Sequence, residues 1–399
     1  MPPQYSALMA GRTVGATVGT VVVGAGPMGA SAARHLSTDP AAGSVTIVGP
    51  DAPVDRDTHR GPFGAWHDEA RLTRIIADDD VWATLAEESI DRYPAIAAQG
   101  GHEFHRTQGV AYVHELQDGF DRQLDVAGRH RAQFEVVAPE RLPHLRMQPG
   151  TQVILERGAA GTVNPRLLVQ NQLAAAERNG ATIVRDHVVA IDTDDHGVTV
   201  RTANGVEVHA ERAVVAAGAY LHAFDLLPEP LPVTAVGITA LFFRVEGAAA
   251  TALADTPGML WHEDGDRTWL YSVPPIRYPD GGLWFKIGGY RDSGPVCTAV
   301  EIDDWHRSDG ARSESVFLRD WLADHIPVLA GRESHSVGCV ITESTSAYPI
   351  IRHVAPNVVV ATGCGGAAAK SCDEIGRLAA VLSARHRWDS PLDEGLFRG

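Results

Sequence analysis

Gly24, Gly26 and Gly29 stand in Gly-x-Gly-x-x-Gly order within Gly24-Ala25-Gly26-Pro27-Met28-Gly29. In such a run the first glycine permits a tight turn, the second lets backbone approach a pyrophosphate, and the third lets helix and strand pack closely. The spacing carries meaning only between a strand and a helix. Thr20 to Val23 is a continuous apolar run and the segment through Leu36 favours helix, so both are expected here. An anion would then sit at the helix N-terminus. The expected ligand is a dinucleotide, and the motif does not choose FAD over NAD; a merely structural turn is the bland alternative. The acid that normally closes the second strand and binds ribose is absent, because Val45 to Val48 is followed by Gly49, with Asp51 two residues later. Asp51 is the ribose candidate beyond a bend at Pro50, and a solvated loop aspartate is the other reading.

Two other residue types could do chemistry. Lys286 stands between apolar neighbours in Phe285-Lys286-Ile287-Gly288, where a lysine is either exposed by alternation or held for a purpose. The four cysteines, Cys297, Cys339, Cys364 and Cys372, form neither a Cys-x-x-Cys pair nor a disulfide framework, so reduced thiols are expected. The 18 histidines show no paired ligand spacing, His102 and His105 being the nearest approach, and no metal is expected.

These residues need a scaffold. After the strand, glycine turn and helix, Val45 to Val48 reads as a second buried strand, completing a βαβ unit that opens a parallel sheet. Residues 82 to 97 have helical periodicity. Asn164 caps and Pro165 starts a helix running to Gly180, followed by strands at Thr182 to Val184, near Val198 to Val200, and at Ala213 to Ala216. From about 226 to 334 the chain is rich in aromatic, β-branched, Pro and Gly residues, which suits antiparallel strands at Leu241 to Val245, Trp269 to Val273 and Leu283 to Ile287. The first pattern then returns, with a strand from Asn357 to Ala361, a glycine turn over Gly363, Gly365 and Gly366, and a helix from about Cys372 to Arg387. The expected fold class is α/β. A discontinuous dinucleotide-binding domain spans 18–95, 151–225 and 335–399; a mostly antiparallel substrate domain spans 96–150 and 226–334; residues 1–17 form a flexible extension.

At 399 residues the chain can bury a large cofactor between two connected domains. Its formal charge of −16 and scattered basic residues speak against nucleic acid. No apolar run is long enough to span a bilayer and no secretory signal is legible, so a cytoplasmic chain is expected, as a monomer or weak homo-oligomer.

Ala213 to Tyr220, with Gly218 and Ala219 ending an apolar strand, has the form of a second dinucleotide contact; Val188 is a further expected cofactor contact. Together with Gly24 to Gly29, Thr73-Arg74-Ile75-Ile76, Lys286 in its strand, Cys339-Val340-Ile341-Thr342 and Gly363 to Lys370, the chain resembles the monomeric sarcosine oxidase and N-methyltryptophan oxidase family of amine-oxidising flavoproteins. The matches run from residue 20 to about 385. The resemblance implies FAD, bonded covalently through Cys339 to the flavin 8-methyl carbon. It implies that Lys286 lies beside the flavin ring as a fixed charge for oxygen reduction, and that Arg74 lies close to the flavin. It also implies that Lys370 holds a substrate carboxylate. Cys364 replaces an aromatic residue of the family's glycine turn.

The chain departs from that pattern twice. The arginine that partners the carboxylate-binding lysine falls at Ala77, and the tyrosine two residues after the covalent cysteine becomes Ile341. Both changes remove polar substrate contacts, so a bulkier or less polar amine, or a cyclic imino acid of a secondary pathway, is expected in place of sarcosine. Tyr271 and Tyr290 are candidates for the pocket wall, with aromatic core packing as the alternative. The implied reaction takes an amine and molecular oxygen to an imine and hydrogen peroxide. Competing readings are an aromatic hydroxylase or NAD(P)-linked reductase, against which stand the Gly-Cys-Gly-Gly turn and the absence of a second Gly-x-Gly-x-x-Gly, and a non-catalytic flavin-binding protein.

Overall fold

The structure, a computed structural model, describes residues 17–262, 269–289 and 294–399. Tyr290 and all but Thr17 of the expected N-terminal extension lie outside the described residues.

The strand Val18–Val23 is flanked in parallel by Val45–Val48 on one side and by the end of Glu207–Val215 on the other. Thr182–Val184 continues the parallel order beyond Val45–Val48, and Val358–Thr362 pairs in parallel with 213–215. Antiparallel strands Val188–Asp194, Gly197–Thr202 and Ile350–Ala355 complete an eight-stranded sheet. The central strands Val18–Val23 and Val45–Val48 are mostly apolar and almost wholly buried because they are covered on both faces. On one face lie the helices Pro27–Leu36, Pro165–Arg178 and Ala368–Arg385, packed through small residues that include Ala30, Ala33, Ala176 and Ala379. Asn164 caps its helix as expected, its side chain accepting from Leu167 N at 3.0 Å.

A second, nine-stranded sheet is mostly antiparallel. Its core joins Leu241, Phe243, Met259, Phe285 and Ile287 to Trp321 and Leu322 of the helix Arg312–His325. Two strands within or at the edge of the segments assigned to the dinucleotide-binding part, 151–225 and 335–399, belong to this sheet instead. Gln152–Glu156 pairs with Val110–His114, and Ser334–Ser344 pairs along its length with Val233–Arg244. Apolar alternation marks a strand but not the sheet it joins. The helical stretch at 82–97 is two helices, Asp80–Asp91 and Tyr93–Gly100, the second opening with Pro94, which has no N–H to continue the first. The C-terminal helix starts at Ala368, earlier than expected, so Lys370 lies in its first turn.

Candidate active site

The two sheets enclose two adjoining cavities, of about 190 and 540 Å³. The smaller begins at the glycine turn and is lined by Gly24, Gly26, Asp51, Val188 and Gly218. The larger is lined by Arg71, Arg74, Tyr271, Cys339, Gly363, Gly366 and Lys370, among others. Pro27, Ala65, Trp66, Ile341, Cys364, Gly365 and Ala368 border both, so the two form one slot leading from the turn to the second sheet. Of the candidate site residues, all but Lys286 and the third glycine of the turn, Gly29, thus border the slot, with Tyr290 outside the described residues.

Gly29 works from behind the wall. A Cβ there would stand 1.8 Å from Gly24 O, which would push the helix off the strand and open the turn. Gly49 explains the missing ribose acid in the same terms. A Cβ at 49 would meet Ala25 N at 2.4 Å, so no side chain fits while the second strand lies this close to the turn. Asp51 borders the slot, but it is exposed and ion-paired with Arg185 at 3.1 Å. The dinucleotide fit therefore rests on the close-packed turn, the N-terminus of Pro27–Leu36 and the continuous slot.

On the strand Ser334–Ser344, alternation turns Cys339, Ile341 and Glu343 into the larger cavity. Cys339 is half-buried, and Arg71 Nη2 stands 3.9 Å from its Sγ. Arg71 also bonds the Asp68 carboxylate and Ala65 O. The sequence reading gave Arg71 no role, and its only local signal is its place two residues before Thr73-Arg74. Lys286 is buried one layer behind this wall, its Nζ 2.6 Å from Asp68 Oδ2 and 2.5 Å from Ala70 O. Burial and then Arg71 press its pKa down, while the Asp68 carboxylate favours the ammonium. Asp68 thus bridges Lys286 to Arg71, and of these two cations Arg71 is the one that borders the cavity. Cys364 lies 3.1 Å from Met28 Sδ, and burial pushes its thiol up to about 12, which makes it a poor nucleophile.

Glu156, 1% exposed, accepts from the backbone N–H groups of Ile75 and Ile76 at 2.7 and 3.0 Å and from Tyr112 OH at 2.7 Å. These bonds fix the backbone that carries Arg74, whose Nε is buried and, among the described residues, has no hydrogen-bond partner. Lys370 is 2% exposed and its Nζ reaches Trp82 O at 3.4 Å. Burial, then Arg74, push Lys370 down to about 7 against the pull of Glu156, Asp78 and Asp79. With the N-terminus of its 18-residue helix, this lysine makes a corner suited to an anion. Among the described residues no ion pair is made by Arg74, Asp78 or Lys370, although all three line the cavity. Leu260, Leu270 and Tyr271 supply an apolar wall. Among the described residues no cluster suited to a metal is found, and no helix is long and apolar enough to cross a membrane.

Residues 20–382 match the model of a family described as FAD dependent oxidoreductase. The chain is 27% identical to a monomeric sarcosine oxidase of Streptomyces avermitilis over 96% of this chain and 97% of that one. It is 24% identical to an N-methyl-L-tryptophan oxidase of Salmonella dublin over 90% and 93% of the two chains. In structure it is similar to a single-site variant of NikD, an unusual amino acid oxidase essential for nikkomycin biosynthesis, with a TM-score of 0.75 over 96% of each chain at 16% identity, a likeness of fold.

Proposed function

Because the chain belongs to the FAD dependent oxidoreductase family, we propose that it oxidises a carbon–nitrogen bond of a secondary amine, an N-methyl amino acid or a cyclic imino acid. Oxygen is the electron acceptor, imine and hydrogen peroxide are the products, and FAD is attached through Cys339. The protein acts in the cytoplasm as a monomer or weak homo-oligomer. The observation that carries the reading is the single slot that joins the pyrophosphate turn, the Cys339 sulfur and a buried cationic corner at Lys370. A bound FAD would supply the acceptor for the electron pair that leaves the carbon next to nitrogen, and its passage to oxygen.

The chain's own residues do the rest by positioning and charge. The turn and the following helix N-terminus receive the pyrophosphate. Arg71, beside the Cys339 sulfur, provides the cationic setting that reactive cysteines share. Lys286, held through Asp68, adds fixed positive charge behind the same wall. Lys370 fixes the substrate carboxylate, and Ile341, Leu260, Leu270 and Tyr271 hold an apolar body and exclude water. Ile341 and Ala77 leave no polar clamp of the sarcosine type, which favours a larger amine. No acid–base pair is required, since a neutral amine loses hydride directly.

The first test is acid precipitation of the holoenzyme. Yellow colour should stay with the wild-type protein and leave Cys339→Ala entirely. Release from wild type would overturn the covalent link, and the oxidase reading would then rest on anaerobic bleaching of the flavin by a panel of N-methyl amino acids and cyclic imino acids. Steady consumption of NADPH without bleaching by any amine would favour the hydroxylase or reductase reading.

A further inference from the structure

We infer that Asp78 and Gln123 form a second recognition subsite in the larger cavity, for a nitrogen-borne hydrogen-bond donor on the substrate's side chain: an ammonium, a guanidinium or an amide. The inference deepens the proposed amine oxidase and rests on it for the reacting end of the molecule.

Gln123, on the helix Gln117–Arg129, is 2% exposed and lines the cavity. Its Oε1 lies 3.0 Å from His114 Nε2 and its Nε2 lies 2.8 Å from Asp78 Oδ1. Burial pushes His114 down to about 4, so the ring is neutral near pH 7. A neutral ring can serve Gln123 Oε1 only by donating from Nε2, so the tautomer follows from the hydrogen-bond network. The chain of bonds thus has one direction: His114 donates to Gln123, and Gln123 donates to Asp78. His262 stacks on His114 with ring centroids 4.6 Å apart and backs this chain. Such a buried, ordered support is what holds a recognition group in one geometry.

Asp78 is therefore held by one oxygen. Its Oδ2 has no donor among the described residues, and the carboxylate borders the cavity. Arg74, Arg122 and Lys370 bear on its charge, yet none forms an ion pair with it. A partly buried carboxylate in this state favours a ligand that supplies the missing donor. The cavity then offers cations for a carboxylate and an anion for a donor, with Leu260, Leu270 and Tyr271 also on its wall. A ligand that ends in a methyl group would remove water from Asp78 Oδ2 and give nothing back, which is how a hydrogen-bonding site rejects an apolar analogue.

The test compares three compounds of similar length, Nα-methyl-L-lysine, Nα-methyl-L-glutamine and Nα-methyl-L-norleucine, binding by anaerobic calorimetry to holoenzyme whose flavin has first been reduced with dithionite, so that no turnover adds to the heat; bleaching is followed separately on oxidised holoenzyme. Wild type should bind at least one donor-bearing compound about tenfold or more tightly than the norleucine compound. Asp78→Asn, which keeps the shape and the Gln123 contact, and Asp78→Ala should reduce that preference while leaving norleucine binding within about twofold. Melting temperatures establish that each variant is folded, and the Asn variant serves if the Ala variant is not. Equal affinities in wild type, no binding of either donor-bearing compound, or equal losses for all three compounds would overturn the subsite. Failure of the oxidase reading shows separately, as a retained binding preference without flavin bleaching.

Discussion

Replacing Asp373 with alanine should destabilise the protein by about 3–5 kcal/mol, the usual consequence of removing one member of a buried charge cluster. Asp373 is fully buried on the helix Ala368–Arg385. It accepts from Arg34 Nη2 at 2.8 Å, Arg92 Nε at 2.6 Å, Gln172 Nε2 at 2.9 Å and Ser31 Oγ at 3.0 Å. One carboxylate thus ties together the helix after the glycine turn, the helix Pro165–Arg178 and the junction at Arg92. Burial alone would raise its pKa, but the adjoining His35, Arg34 and Arg92 hold it well below the usual carboxylate range. A carboxylate whose folded pKa is depressed contributes stability above its unfolded value of about 3.9, and that contribution is lost as pH falls through the folded value. Urea midpoints at pH 7 should therefore separate wild type from Asp373→Ala widely, and the gap should narrow only in acid below about pH 4. Asp373→Asn should fall between them, because it keeps the shape and the acceptor that serves Ser31, Arg34 and Gln172, but loses the charge and the acceptor that serves Arg92. An unfolding free energy for Asp373→Ala within about 0.5 kcal/mol of wild type would show that the arginines find other partners. Lys370 precedes Asp373 by one helical turn, so the same cluster that secures the helix also sets the position of the cationic corner.

The second large effect concerns that corner. Affinity for a non-oxidisable carboxylate such as propionate should be constant below pH 7 and weaken about tenfold per pH unit above it. Lys370, pushed down to about 7 by burial and by Arg74, is protonated below that pH and neutral above it. An anion binds the protonated lysine and raises its pKa, so affinity is lost as pH rises from the free value toward the bound one. Lys370→Met should bind the carboxylate about 10–100-fold more weakly at pH 6, in keeping with the loss of a charge-assisted hydrogen bond, and with a flat pH dependence. Flavin absorption changes on titration between pH 6 and 9 provide the reading. A flat profile in wild type would mean that Lys370 does not hold the carboxylate. The amine must itself be neutral to react, so oxidation is expected to peak where the lysine is still charged and enough amine is free.

The parts of this protein that depend on neighbours in sequence were legible in advance. The Gly24 to Gly29 turn, the apolar strands at its two sides and the Asn164-Pro165 helix start all arise from backbone conformations that a few adjacent residues impose. The dinucleotide-binding sheet follows from them. Cys339, Ile341 and Lys370 were also found in the sequence, on resemblance, and all three border one slot. Their electrostatic setting was not legible. Arg71 stands beside a cysteine 268 residues away, and nothing near either residue in the chain announces it. Lys286 reads as a cation awaiting a purpose, yet pairing across the fold gives much of its charge to Asp68. Gly49 reads as a missing acid, and only the distance to Ala25 reveals that no side chain has room. Asp78 and Gln123 are unremarkable on a charged loop and a surface helix until the fold sets them against one cavity wall. Local sterics and hydrogen bonding choose strands, turns and helices over a few residues. The charge state and reach of a side chain depend on burial and on partners that long-range strand pairing brings near, and these exist only once the two sheets have closed around the slot.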